Sequence, residues 1–401
     1  MTGAPASHET PRAPEPDGRR VVAVVTGTRA EFGLLQPVMQ AIEAHPSLRL
    51  SVVVTGTHFL PPAETWREVE AAWPSRIGAE VPMQQSGHLG RFHDSIALGH
   101  GTLGLAHAFE SIRPDWVVVL GDRIEALAAA SAAAVAGVAL AHMHGGDRAE
   151  GVADDAIRHA VSKLAHVHLA ASRASAERLV RMGEAPERVH VVGSPAIDGL
   201  AHVPALDDAS WRELGAPTAL LLLHPVGDSA PVERRRAERV AEALGGERVL
   251  WLHPNHDPGR DGVMAALTDA AHRHGWASAA HLPRERFVGA LKRLAASGGV
   301  MVGNSSAGLI EAVALGVPVV DIGERQSGRE RPAPPAVVHV DDPVSDAVRS
   351  AIASARGPRA SATVDPREHP YGDGNAGERT AALLARIDPA ERGLIRKRNA
   401  Y

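Results

Sequence analysis

The chain alternates short, unbroken apolar runs with stretches whose apolar residues recur at helical spacing, and Gly-bearing polar loops separate the two. Val21–Val25 is a Val-rich run of the kind buried on both faces of a parallel sheet. It leads through Thr26-Gly27-Thr28-Arg29-Ala30-Glu31 into a segment with Leu34, Leu35, Val38, Met39 and Ile42 on one helical side. Ser51–Val54 repeats the theme and stops at Thr55-Gly56-Thr57-His58, and Trp116–Leu120 stops at Gly121-Asp122-Arg123. Val138–His142 leads to Met143-His144-Gly145-Gly146-Asp147. Val167–Ala171 and Val189–Val192 follow, the last closing on Gly193-Ser194-Pro195. The second half restarts the cycle. Ala219–Leu223 ends at His224-Pro225, Val249–Leu252 at His253-Pro254-Asn255, Val300–Val302 at Gly303-Asn304-Ser305-Ser306, and Val317–Ile322 at Gly323-Glu324-Arg325.

Such alternation predicts βαβ units and parallel sheets, an α/β fold. The loose stretch 201–216, with Pro204 and the Asp207-Asp208 pair, reads as a linker between two similar domains, 20–200 and 217–385. The Arg- and Lys-rich end, 386–401, reads as a surface helix. Residues 1–19, polar and Pro-rich without an apolar core, read as a disordered arm and not a signal peptide. Nearly every polar motif lies just after an apolar run. That is the carboxyl end of a strand, where open α/β sheets bind ligands, and two such edges facing each other make a cleft.

Composition narrows the partners. With 44% hydrophobic and 22% charged residues the chain is globular, not disordered. A net charge of −5 with no long basic run argues against nucleic acid or an anionic membrane, so a phosphate ligand would need particular Arg residues and helix N-termini. The absence of cysteine excludes disulfides, Cys-based zinc sites and thiol nucleophiles. The Ala-rich stretch 126–143 is interrupted by Ser131, Gly137 and His142 and is no membrane span, which makes the cytoplasm the default compartment.

The strongest local signal is Gly303–Glu311. Small residues admit a ligand close to the backbone, and Ser305 and Ser306 can cap the following helix while meeting a phosphate. Glu311 lies about 7–8 Å farther along a helix axis, in reach of ribose hydroxyls. The plain alternative is a Ser N-cap with a solvated Glu. Arg29 suits a diphosphate, although the loop around it has too few glycines for a dinucleotide fingerprint. Arg123 suits a phosphate and Asp122 a proton or a sugar hydroxyl, unless they are an ordinary structural pair. Asp154, Arg158 and Ser162 share one helical face opposite a stripe of Ile157, Ala160, Val161 and Leu164. Paired charges at helical spacing are usually solvated, but this helix follows a Gly-Gly loop at a strand end. His142, His144 and Asp147 have a permissive metal spacing without further donors, so neither metal nor cofactor is expected. His224 and His253 sit at equivalent strand ends, where a lone His is more often packed than catalytic. The loops at 323–329 and 371–376 read as segments that brace a ligand, or as simple turns.

Taken in order, the motifs resemble one family. They are Thr26–Gly33, Gly121-Asp122-Arg123, His144–Asp147, Asp154-Asp155 with Arg158-His159 and Lys163-Leu164, His224-Pro225, Gly303–Ser306, Gly323 with Arg325-Gln326 and Gly328-Arg329, and Tyr371–Asn375. The resemblance, over about residues 20–380, is to the UDP-N-acetylglucosamine 2-epimerases, most of all the hydrolysing branch that makes N-acetylmannosamine and related sugars. It implies a GT-B-like fold, two Rossmann-like domains with a ligand cleft between them and UDP mainly on the second. By motif match His224, Asn255, Ser305, Ser306, Glu311 and Arg325 would hold UDP, with Arg29 and Arg123 completing the diphosphate site. Asp122 and Asp154 match positions used for chemistry, and His58 and Arg158 would lie near the sugar. A sugar nucleotide is the expected partner, and a homo-oligomer, dimer or tetramer, the expected assembly. Two positions depart from the pattern. His144 stands where some members carry an acid, and Asp147 where Glu is usual, so the proton-handling set is altered.

The implied chemistry is loss of UDP from C1 with removal of the C2 proton, then reprotonation at C2 from the other face and addition of water at C1. Arg and Ser groups would stabilise the departing UDP, and Asp154 or Asp122 would serve as base. Three other readings fit the same residues: an epimerase of another phosphorylated sugar such as a ketose phosphate, a glycosyltransferase of the same fold, and a sugar-nucleotide sensor.

Overall fold

The computed structural model describes residues 18–61, 64–88, 90–148, 154–254, 257–332, 336–357 and 369–400, with Asp154 by its backbone alone. Most of the expected arm at 1–19, Asn255 and the Asp154 side chain therefore lie outside the described residues.

The first half winds as β1 (Arg20–Thr26), α1 (Arg29–Ala44), β2 (Leu48–Thr55), α2 (Trp66–Ala72), β3 (Ile77–Val81), α3 (Arg91–Ile112) and β4 (Trp116–Leu120). It continues as α4 (Ile124–Ala136), β5 (Ala139–Met143), α5 (Asp154–Leu164), β6 (Val167–Ala170), α6 (Arg173–Arg181) and β7 (Val189–Val191). The second half runs through α7 (Asp208–Glu213), β8 (Ala219–Leu222), α8 (Ala230–Ala243), β9 (Val249–Leu252), α9 (Arg260–His274), β10 (Ala277–Ala279) and α10 (Arg284–Ala296). It closes with β11 (Val300–Gly303), β12 (Val319–Ile322), β13 (Val337–Val340), α11 (Ser345–Ala355), α12 (Ala376–Arg386) and α13 (Arg392–Ile395).

Both sheets are parallel and doubly wound. The first has the order β3-β2-β1-β4-β5-β6-β7 and the second β10-β9-β8-β11-β12-β13. The strand order reverses between β1 and β4, and again between β8 and β11, which opens a crevice at each carboxyl edge. This is the expected α/β architecture of two Rossmann-like units. The central strands are the continuous apolar runs because helices cover both faces. Val22 and Val24 pack with Leu35, Val38 and Met39 of α1, while Ala23 and Val25 share a core with Leu105, Phe109 and Ala129. Each fully buried aliphatic side chain of this kind contributes about 1.5–3 kcal/mol.

Two boundaries differ from expectation. The stretch 201–216 is not loose: Asp207 accepts from Ser210 N at 2.7 Å to start α7, and Trp211 is buried in the second core with the Arg293 guanidinium 5.8 Å from its ring centroid. The chain also does not remain in the second unit to residue 385. Ala381, Leu383, Leu384 and Leu394 join the first core, so α12 and α13 complete the first unit and are not surface additions. Arg20 fixes the crossing by donating to the carbonyls of Ala385 at 2.6 Å and Ile387 at 2.8 Å. Asp198 caps the start of α12, accepting from Ala376 N at 3.0 Å and Gly377 N at 2.6 Å.

Candidate active site

The second crevice is built by a reciprocal clasp. Asn304 Oδ1 accepts from His224 N at 2.7 Å and its Nδ2 donates to His224 O at 2.8 Å, tying the ends of β11 and β8 together. Gly303 allows this approach: at φ +144° it adopts a backbone that side chains disfavour, and a Cβ would run into the Leu222 carbonyl. The Asn304 carbonyl then accepts from Arg325 Nη1 at 3.2 Å and Gln326 Nε2 at 2.9 Å, so the loop after β12 lies against the same edge. Ser305 and Ser306 are half-buried at the start of the helical turn 306–314. Its Gly308–Ala312 segment is π-wound, an irregularity frequent at functional sites. Glu311 lies buried in that segment. Burial raises its carboxyl above the usual range while the Arg284 guanidinium opposes the shift. Burial, with Arg325 nearby, drives the His224 imidazole well below its ordinary value, so it stays neutral.

In the first unit, Thr28 caps α1 by accepting from Glu31 N at 3.3 Å, and Glu31 Oε2 accepts from Gly27 N at 2.7 Å. Arg29 is the first residue of α1 and half-exposed, at a helix N-terminus suited to an anion. Beyond β4, Asp122 pairs with Arg158, a fully buried guanidinium that also donates from Nη1 to His144 O at 3.1 Å. Arg158 therefore holds the β4 and β5 ends together and positions Asp122.

His144 itself has a left-handed backbone, φ +60°, which is strained for a side-chain-bearing residue and directs its imidazole inward. Its Nδ1 meets Asp147 Oδ2 at 2.9 Å and its Nε2 meets Ser194 Oγ at 3.0 Å. Asp147 also accepts from Ser175 Oγ at 2.7 Å and pairs with Arg329 at 3.4 Å. Burial acts to raise the Asp147 carboxyl, but His144, Arg329 and Ser175 together hold it down at about 2. Asp147 is thus held as an anion against the His144 imidazole. His142 is spent on structure, hydrogen-bonded to Gly121 O at 2.8 Å and Ser162 Oγ at 3.1 Å, with burial holding it neutral at about 3.

The His58 expectation needs correction. The ring is fully buried, with Nε2 3.0 Å from Thr26 Oγ1 and Nδ1 2.8 Å from Thr65 Oγ1. Both nitrogens are occupied by threonines, so His58 supports the floor between β1 and β2 and has no polar atom left for a sugar.

The two units meet at these edges. Arg123, at the start of α4, approaches Asp257 Oδ1 at 3.7 Å, and Arg325 approaches Oδ2 of the same carboxylate at 3.9 Å. Arg329 reaches Asp147 in the first unit, and Arg178 Nη2 donates to Gly328 O at 3.1 Å. The carboxyl ends of β4 and β5 therefore lie against the loop that follows β12. Residues 40–385 match the family described as UDP-N-acetylglucosamine 2-epimerase. The chain belongs to that family.

One relative of this epimerase chain covers it nearly end to end. A Legionella pneumophila protein named UDP-N,N'-diacetylbacillosamine 2-epimerase (hydrolyzing) is 34% identical over 396 residues, which is 95% of this chain and 100% of that protein. A Neisseria meningitidis UDP-N-acetylglucosamine 2-epimerase is 33% identical over 334 residues, 80% of this chain and 83% of the relative. The fold matches the crystal structure of a Methanocaldococcus jannaschii UDP-GlcNAc 2-epimerase in complex with UDP-GlcNAc and UDP. That match has a TM-score of 0.75 at 18% identity and covers 91% of this chain and 99% of the other. The expected GT-B-like fold is the fold of this family.

Asp257, Ser194 and Glu125 stand at the same edges and are not among the candidates that the sequence motifs supply. Asp257 follows Asn255 by two residues at the β9 end, and Glu125 follows Arg123 by two in the first turn of α4, so proximity to flagged residues was the available signal.

Proposed function

We propose that this chain is a hydrolysing UDP-sugar 2-epimerase acting on a UDP-linked 2-acetamido sugar, UDP-N-acetylglucosamine or a relative such as UDP-N,N'-diacetylbacillosamine. The observation that carries the reading is the pair Arg123 and Arg325, one from each unit, converging on a single anionic position beside the Ser305-Ser306 helix start. A diphosphate there takes hydrogen bonds from both guanidiniums and the helix N-terminus, with Arg29 completing the set. Uridine then lies along the His224–Asn304 clasp, with its ribose toward Glu311 and with Asn255 as a further partner by motif match.

As the C1–O bond breaks, its electrons pass to the UDP oxygen, and the cationic set stabilises that charge. The C2 proton leaves to a carboxylate, Asp122 or Asp154, and a C1–C2 double bond forms. His144, oriented by Asp147, supplies through the Ser194 hydroxyl the proton that returns to C2 from the opposite face; water adds its oxygen to C1, its proton goes back to the imidazole, and the carboxylate sheds the C2 proton to solvent. One water is consumed, and the products are UDP and the free 2-epimer. Arg158 keeps Asp122 and the His144 backbone in register throughout.

We also propose that the chain works as a homo-oligomer. Phe92, Ile96 and Leu103 expose an apolar line along α3 that a second copy would cover. The deciding experiment is incubation with each UDP sugar, without acceptor, in deuterium oxide. Free 2-epimer carrying one deuterium at C2, with equimolar UDP, supports the proposal. UDP release only when an acceptor sugar is added would show a glycosyltransferase instead.

A further inference from the structure

We propose that Asp257 is a built-in counter-anion for the diphosphate site, lying between Arg123 and Arg325 where the ligand's diphosphate binds and swinging aside when it arrives. The inference rests on the UDP reading above and adds a specificity device to it.

The geometry supports a displaceable carboxylate and not a permanent bridge. Each Asp257 oxygen faces a different guanidinium, at 3.7 Å and 3.9 Å, well beyond the roughly 2.7–2.9 Å of a tight charge-assisted hydrogen bond. Each guanidinium also has a contact within its own unit. Arg123 Nε stands 3.4 Å from the buried Glu125 carboxylate, and Arg325 Nη1 donates to Asn304 O at 3.2 Å. Asp257 approaches Arg123 Nη1 and Arg325 Nη2, so its departure would leave the Arg123 Nε and Arg325 Nη1 contacts in place. A gap that one carboxylate spans loosely suits a larger and more highly charged group.

Charge decides the exchange. Without an anion between them the two guanidiniums repel across the cleft, and Asp257 quiets that repulsion in the empty enzyme. An arriving diphosphate sets a charged phosphoryl group against each guanidinium at once and repels Asp257, so it displaces the side chain where a monophosphate, which engages one guanidinium at a time, competes poorly. When UDP is ready to leave, the returning carboxylate competes for the same guanidiniums and speeds its release. Asp257 thereby trades affinity for discrimination and turnover.

The test is calorimetric titration of the intact enzyme with UDP and with UMP, for the wild type, Asp257→Asn and Asp257→Glu. Asp257→Asn should bind UDP on the order of tenfold more tightly and release it more slowly in stopped flow, with a larger gain for UMP. Asp257→Glu should keep the wild-type Kd. Should Asp257→Asn fail to fold, Asp257→Ser removes the same charge and must show the same sign. Unchanged or weaker UDP binding by the neutral variants, beside a wild type that binds and releases UDP, overturns this inference alone. A wild type that binds no UDP refutes the UDP reading and this inference with it.

Discussion

His144 Nδ1 lies 2.9 Å from Asp147 Oδ2, and this contact divides the labour between the two side chains. Asp147 stays ionised, so it takes the Nδ1 proton as an acceptor and leaves Nε2 as the nitrogen with a free choice of role. Ser194 Oγ, 3.0 Å from Nε2, completes a line from carboxylate through imidazole to hydroxyl.

Replacing Asp147 with Asn should therefore fail through tautomer and not through binding. An amide at this position can donate to Nδ1 and place the proton on Nε2, reversing what His144 offers the substrate. We expect kcat to fall by roughly 10²-fold or more with KM for the UDP sugar nearly unchanged, read from the steady-state rate of UDP release. A KM effect without a kcat effect would assign Asp147 to substrate binding.

His58→Ala should separate the structural role from a sugar-contacting one. The substitution leaves the Thr26 and Thr65 hydroxyls without their buried partner and removes the ring packed edge-on to Phe32, whose centroid is 6.2 Å away. A loss of roughly 2–4 kcal/mol in urea unfolding is expected, with kcat retained in the folded fraction. Loss of kcat at unchanged stability would return His58 to the sugar pocket.

How much of this was legible depended on where each residue sits in the sheets. The central strands show as continuous runs such as Trp116–Leu120 because both faces are covered. The strands without such a run, β3, β10 and β13, are all at sheet edges, where one side meets solvent and the apolar run breaks up. Motifs at strand ends were legible because open sheets bind ligands there, and His224, Arg123, Ser305 and Arg325 do lie on the two facing edges. Asp147's role was not, since it depends on the left-handed backbone of His144, which no spacing reveals. The return of α12 to the first sheet was equally hidden: the helix's apolar face fits either core, and the Arg20 and Asp198 contacts that choose between them span more than 170 residues of sequence.

Lys397→Met should loosen the C-terminal segment from α5. Lys397 Nζ donates to the carbonyls of Ser162 at 3.0 Å, Lys163 at 2.9 Å and Ala165 at 2.7 Å, and pairs with the buried Glu184 at 2.6 Å. It thus neutralises the C-terminal end of the helix that carries Asp154 and Arg158. Glu184 retains His168 and Lys163, so the loss should be partial, roughly 2–3 kcal/mol by urea unfolding. Amide exchange in 158–165 should quicken in the variant, and unchanged exchange there would refute the strap.

Glu31 makes stability fall with rising pH in a defined window, and Glu31→Gln should abolish that slope. Burial, reinforced by the neighbouring Glu125, pushes the Glu31 carboxyl up to about 8 against the opposing Gly27 amide and Arg123. In the unfolded chain the same carboxyl titrates near 4.3. A raised folded value means that the native state holds its proton longer, so the unfolded state gains relative to it as pH climbs from about 4.5 to about 8, with no further change above that. The substituted amide is neutral throughout and can still accept from Gly27 N through its oxygen, preserving the cap at the start of α1. The variant should match the wild type near pH 5 and exceed it by on the order of 2 kcal/mol near pH 8, measured by urea midpoints across that range. A constant difference between the two proteins over the window would mean that Glu31 is already ionised in the native state, and that the cap and Arg123 outweigh burial.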